Sequence, residues 1–367
     1  MTLHRSSRLA AVLAAGSLAL TACGGSEADE PSATESEAAA DLSGTLAGAG
    51  ASSQTSAMEA WIAGFQTENE GVTINYDPVG SGGGRDAFTE GGVDFAGSDR
   101  AMDAEEITAA SARCAEGASV VNLPLYISPI AVAFNLEGVD ALNLSPATIA
   151  KIFDQKITTW NDPAIAADNP DAQLPDTAIT PVNRSDDSGT TENFTEYLAA
   201  TAAADWPYEP DGVFPVEGGE AANGTSGVVQ AIQAGNGAIG YADASQVGEL
   251  GVAAIGVGDG FVEYSPERAA AVVEASPREE GREEGDIAIE LARDTTSPDE
   301  YPLVLVSYSL ACTEYEEAEK NELVKAFLGY IASEDGQSAA AENAGSAPIS
   351  EALRTEVTAS IEAIGGA

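Results

Sequence analysis

The sequence predicts an α/β fold, on three observations. Short apolar, strand-like runs alternate with segments whose apolar residues recur at helical spacing. Turns rich in glycine and hydroxyl residues follow the strands and precede the helices. Of the 367 residues, 44% are hydrophobic, enough for two domains of ordinary size.

The chain opens on a targeting signal. Arg5 and Arg8 form a basic start, and Leu9 to Leu20 is an apolar run too short to span a bilayer. It ends in Leu20-Thr21-Ala22-Cys23, which resembles the lipobox of bacterial lipoproteins. The resemblance implies a signal peptide over 1–22, lipid (palmitate) attachment at Cys23 and an anchor on the extracytoplasmic face of the cell membrane. Residues 23–41 are small, polar and acidic, and read as a disordered tether.

Charge and histidine content narrow the function. Sixty acidic side chains stand against 15 basic ones, a formal net charge of −45 that disfavours nucleic acid and anionic membrane surfaces as partners. The only histidine, His4, lies in the segment expected to be removed. His-based triads and the commoner zinc sites are thereby excluded. Glu279 to Asp286 is a charge-rich insertion without EF-hand spacing and reads as a solvated acidic surface, so no metal or cofactor is expected.

The folded part begins with a strand from Leu42 into the turn Ser52-Ser53-Gln54. A helix follows, with Met58, Trp61, Ile62 and Phe65 on one face. Val72–Tyr76 is a strand; next come Gly80–Gly84, with Ser81 as the one side-chain donor, and a helix from about Arg85 to Glu90. Val93–Asp99 is a further strand. Much later, Ala178–Val182 reads as a buried strand, Asn183–Thr191 as a polar turn and Glu192–Ala204 as a helix through Phe194, Tyr197 and Leu198. Leu323, Phe327, Tyr330 and Ile331 mark a core-facing C-terminal helix.

Any one of these turns fits an N-capped surface helix equally well. Together they place Ser52, Ser81, Asp99 and the Arg184–Ser188–Thr190 group at strand ends, where open α/β sheets bind ligands. Helix starts offer free N–H groups and positive dipole ends, and Arg184 adds a charged fork of donors. That combination suits an anion.

Here a resemblance becomes plain. Gly48–Ser52, Gly80–Gly83, Asp94–Asp99 and Arg184–Thr190 are similar, in order and spacing, to the substrate-binding proteins of the bacterial Pst-type phosphate ABC importer. Leu144–Phe153, Ile157–Pro163 and Gly237–Tyr241 also resemble that family, and the likeness covers residues 44–350. It implies a two-domain, Venus-flytrap (type II) periplasmic-binding-protein fold with two crossing hinge segments. It implies a phosphate site of Ser52, Ser53, Ser81 and Asp99 from one domain and Arg184, Ser188, Gly189 and Thr190 from the other. The implied partners are inorganic phosphate and the importer's permease and ATPase, with the chain itself a monomer.

Two positions depart from the family pattern. Ser52-Ser53-Gln54 stands where a hydroxyl followed by Phe-Pro is common, so the apolar cover there is lost unless replaced. Asp187 replaces the usual Gly before Ser188, and a carboxylate so close to an anion is expected to point outward or cap the helix.

Leu123–Phe134 and Tyr301–Leu310 are assigned to the crossings, giving domain I as 42–125 plus 310–367 and domain II as 126–309. If the crossings run antiparallel, Cys114 and Cys312 meet in domain I, and a disulfide between them is expected.

Asp99 sets the expected chemistry. A carboxylate accepts hydrogen bonds but cannot donate them. Phosphate near neutral pH has a proton to give and sulfate has none, so Asp99 favours phosphate. The alternatives are another tetrahedral oxyanion, such as sulfate or molybdate, or a serine-dependent phosphoester hydrolase using Ser52 or Ser188. For the hydrolase the sequence-distant Lys151 and Lys156 are the candidate bases. Binding without catalysis is the expectation.

Overall fold

The computed structural model describes residues 42–366; the signal segment, Cys23 and the tether lie outside them. The first half is built of β1 (Ser43–Gly50), α1 (Thr55–Glu68), β2 (Gly71–Asp77), α2 (Ser81–Thr89), β3 (Phe95–Ser98) and α3 (Ala104–Ala110). β1 pairs in parallel with β2 and β3, so all three strands point their carboxyl ends the same way. Met58, Trp61 and Phe65 of α1 are buried as their spacing predicts. Trp61 donates from Nε1 to the Gly336 carbonyl at 2.7 Å, which ties α1 to the C-terminal part of the chain.

A long strand, β4 (Val120–Asn135), then leaves this half. Beyond it lie β5 (Ala141–Leu144), α4 (Pro146–Phe153), α5 (Pro163–Asp168), β6 (Thr180–Arg184) and α6 (Gly189–Thr201). These lead to β7 (Glu220–Ala222), α7 (Gly224–Ala234), β8 (Ala238–Asp243), β9 (Gly251–Val257), β10 (Gly260–Val262) and α8 (Pro266–Ala275). β11 (Val304–Cys312) returns to the first half, which α9 (Ala318–Ala332), α10 (Glu334–Ala344) and α11 (Glu351–Glu362) complete.

The sheet order β2-β1-β3-β11-β4-β8-β6-β7 makes β4 the shared strand. Its first part runs antiparallel to β11, with a register shift between Ser307 and Tyr308, and its last six residues pair with β8. Two lobes therefore grow from one pair of crossing strands, both fully buried along their paired length. The antiparallel crossing brings Cys114 and Cys312 together as a disulfide, with Cα atoms 5.6 Å apart.

In the second lobe β6 lies parallel to β7 and β8. Phe153, Phe194 and Tyr241 form its aromatic centre; Phe194 and Tyr241 stack with ring centroids 4.2 Å apart. This places the carboxyl ends of β6, β7 and β8 opposite those of β1, β2 and β3.

Three sequence expectations are corrected. α2 begins at Ser81 instead of Arg85, so the glycine run is helical rather than a loose turn. Glycine is poor in helices, but here close approach decides: a Cβ on Gly84 would meet the Ala49 carbonyl at 3.0 Å and overlap the Gly50 backbone. α6 begins at Gly189 rather than Glu192. Within the acidic insertion Glu279, Glu280, Glu283 and Glu284 are exposed as expected, yet Asp286 is buried. Its carboxylate accepts from Asn122 N and Nδ2 at 2.8 and 2.6 Å, fastening the insertion to β4.

Candidate functional site

The helix starts and strand ends of the two lobes meet in a cleft. Ser52 and Ser53 follow β1, Ser81 opens α2, and Asp99 follows β3. Gly80, just before Ser81, has φ of 95°, a left-handed conformation that glycine adopts without strain. From the other lobe, β6 ends in Arg184, and Ser188, Gly189 and Thr190 open α6. All eight residues are buried, and Ser53, Ser81, Gly189 and Thr190 meet around Asp99.

Asp99 is the centre of the arrangement. Its Oδ1 accepts from Ser53 Oγ at 2.6 Å, and its Oδ2 accepts from Thr190 Oγ1, across the cleft, at 3.0 Å. Its own N–H donates to Ser81 Oγ at 3.1 Å. Burial pushes the Asp99 carboxyl above the usual carboxylate range; the hydroxyls and Arg184 oppose that shift. Gly189 is held against the carboxylate so closely that a Cβ there would lie 2.6 Å from Asp99 Cβ and 2.7 Å from Ser81 Oγ.

Arg184 is buried and oriented by its neighbour but one. Its Nε donates to Asp186 Oδ1 at 2.8 Å, and its Nη2 pairs with Asp186 Oδ2. Both bonds use one edge of the guanidinium, and Nη1 makes no bond to protein among the described residues. Asp186 in turn accepts from Gly224 N at 3.0 Å; burial pushes its carboxyl up, but the Arg184 and Gly224 bonds win and hold it low. The Arg184 N–H reaches Tyr241 Oη at 3.4 Å, and that hydroxyl also bonds Thr191 Oγ1 at 2.8 Å. The aromatic core thus fixes the turn from Arg184 to Thr191 from beneath.

Ser188 takes the capping role that its sequence context allows. It is the buried N-cap of α6, its Oγ accepting from Thr191 N at 3.3 Å. As the first two helical residues, Gly189 and Thr190 carry N–H groups with no intrahelical acceptor. At the departure in the first turn, the Ser53 hydroxyl serves Asp99 directly. Gln54 stands there as a buried polar side chain, packed beside Gly97 and donating from Nε2 to Tyr76 Oη at 3.1 Å. Asp187 points outward with about half its side chain exposed, its side-chain exposure being 48%.

Three contributors escaped the sequence reading. Thr225, at the start of α7, bonds Ser52 Oγ through both Oγ1 and N, each at 3.1 Å. Gln246 donates to the Ser52 carbonyl at 2.8 Å and the Ser53 carbonyl at 3.3 Å. Asn193 donates to the Asp99 carbonyl at 2.7 Å, and its Oδ1 receives buried Arg293. Asn223-Gly224-Thr225-Ser226 repeats the glycine-and-hydroxyl pattern of the other turns and was the available signal. Gln246 and Asn193 had none. Lys151 and Lys156, the candidate bases for a serine hydrolase, pair instead with Asp205 at 3.6 Å and Asp154 at 2.5 Å. Among the described residues no cluster of potential metal ligands occurs.

A buried cleft between two α/β lobes, lined by hydroxyls, helix starts and one oriented arginine, defines a binding protein for a small oxyanion. Residues 35–335 match the family described as PBP superfamily domain. Phosphate-binding protein PstS 3 of Mycobacterium tuberculosis (strain ATCC 25618 / H37Rv) is 36% identical over 377 residues, covering 99% of this chain and all of the relative. Phosphate-binding protein PstS 2 of the same strain is 33% identical over 383 residues, with the same coverage. The chain belongs to the PstS family of phosphate-binding proteins. A periplasmic phosphate-binding protein solved with phosphate (PfluDING) superposes with a TM-score of 0.70 at 23% identity, over 86% of this chain and 93% of that one. At that identity the match bears on the fold alone, and the fold is the same two-domain one.

Proposed function

We propose that the protein captures inorganic phosphate between its lobes and delivers it to the permease and ATPase of an ABC importer, without chemistry on the ligand. The observation that supports this most is the bond from Thr190 of one lobe to the Asp99 carboxylate of the other, inside a cleft otherwise supplied with donors. Arg184 and the hydroxyls of Ser52, Ser81 and Ser188 donate to phosphate oxygens, Ser53, Gly189 and Thr190 donate through their backbone N–H groups, and Asp99 accepts the phosphate proton. Sulfate and molybdate, with no proton to offer, meet that carboxylate only as a like charge.

The lobes correspond to domain I, 42–125 plus 310–367, and domain II, 126–309, hinged on β4 and β11. The shared pairing of β4 supports that division. Closure around the ligand commits it to transfer. The chain acts as a monomer, held to the extracytoplasmic face of the membrane through lipid on Cys23; Cys23→Ser should leave the membrane fraction, and retention there would remove the anchor from the account.

Equilibrium dialysis with labelled phosphate, in competition with sulfate and molybdate, tests the ligand. Retention of phosphate against a large excess of both supports the reading. Turnover of a chromogenic phosphate ester would replace it with the hydrolase.

A further inference from the structure

Two ion pairs cross the cleft beside the anion turn, formed by residues outside the set assigned to the ligand. Arg85 of α2 approaches Asp187 of the facing lobe, Nη2 to Oδ1, at 3.6 Å. Arg100, just beyond β3, meets Glu192 in the first turn of α6 at 2.9 Å. Both arginines are held from their own side by one carboxylate. Arg85 donates to Glu106 at 3.1 Å and to Ser98 Oγ at 3.0 Å; Arg100 forks onto Glu106 at 2.6 and 2.7 Å. Their heads are therefore set before a partner arrives from the other lobe.

Asp187 is seated between glycines of both lobes. A Cβ on Gly82 would lie 2.6 Å from Asp187 Cβ, and one on Gly212 would lie 3.2 Å from its Cγ. Gly82 N also donates to the Asp187 carbonyl at 3.2 Å. A carboxylate that would oppose a bound anion is thus turned out of the cleft towards Arg85. The space for it is made by the two residues that lack a side chain.

We propose that Arg85 and Asp187, assisted by Arg100 and Glu192, form an ionic latch between the lobes that tightens phosphate binding without touching phosphate. This rests on the reading of phosphate capture by closure. When only the closed form holds ligand, apparent affinity scales with the fraction closed, so a contact made only on closure raises it. A partly exposed pair of this kind changes the dissociation constant roughly two- to fivefold.

The test is a double-substitution cycle on the full chain: phosphate affinity of wild type, Asp187→Asn, Arg85→Gln and both together, at low salt and at about 1 M salt, where ion pairs are screened. The latch predicts that Asp187→Asn weakens binding two- to fivefold when Arg85 is present. It predicts no loss, or a gain, when Arg85 is replaced, and a difference that vanishes in high salt. If Asp187 acts only as a like charge near the anion, Asp187→Asn tightens binding in both backgrounds and the latch is overturned. Independent effects of the two substitutions overturn it as well. Should Arg85→Gln fail to fold, the sign of the Asp187→Asn effect at low salt decides alone: weaker binding supports the latch, tighter binding sinks it. A wild type that does not bind phosphate at all refutes the ligand assignment instead, so the two failures are distinct.

Discussion

Replacing Asp99 by asparagine removes one charge and almost no volume. Ser53 and Thr190 hold the carboxylate oxygens at 2.6 and 3.0 Å, so an amide placed there keeps two hydroxyl partners after their protons reorient. What changes is the response to the ligand's proton. Phosphate loses a hydrogen bond to a buried charge, worth about 1.5–3 kcal/mol, or roughly a 10- to 150-fold weaker affinity. Sulfate loses a repulsion and gains an amide donor, so the phosphate-to-sulfate affinity ratio should fall by at least about 100-fold. Because burial already disfavours the charged carboxyl, the unliganded variant should unfold at no lower temperature than wild type. Titrations of both anions, with a thermal melt alongside, check this. An unchanged ratio in a folded variant would refute the role given to Asp99.

Three more outcomes follow from the same geometry. Arg184→Lys gives up the bidentate grip of Asp186 and the planar fork, so phosphate affinity should drop by about 100-fold with little change in melting temperature. Cys114→Ser with Cys312→Ser opens a loop spanning 198 residues and should cost about 5 kcal/mol in urea unfolding on the chain-entropy relation, leaving affinity intact. Burial pushes the Asp243 carboxyl up to about 7, so the folded protein holds a proton that the unfolded chain releases. Stability should therefore fall as pH rises from about 4 through 7, and Asp243→Asn should flatten that slope in pH-dependent unfolding.

Much of the site was legible because its parts share one local grammar. Ser52, Ser81, Asp99 and Arg184 each lie at or just beyond the end of a short strand, and glycines or hydroxyls mark where a helix starts. Thr225 obeys the same rule, but β7 is three residues long and shows no alternation by which to find it. Gln246 sits in a 3-10 turn after β8, and its reach to Ser52 spans 194 positions, so only the folded chain reveals it. Glycine's low helix propensity hid the start of α2, which contact with β1 and Asp187 overrides. Asp286 looked like one more solvated acid until Asn122, 164 positions away, buried it. The family resemblance supplied the two-lobed plan; local pattern alone stopped at an α/β sheet.

Calorimetric titration of the purified protein with phosphate and then sulfate tests the central claim most directly. The account predicts saturable, one-site heat with phosphate and none with sulfate at the same concentrations. Equal binding of the two anions, or no heat with phosphate, would contradict it.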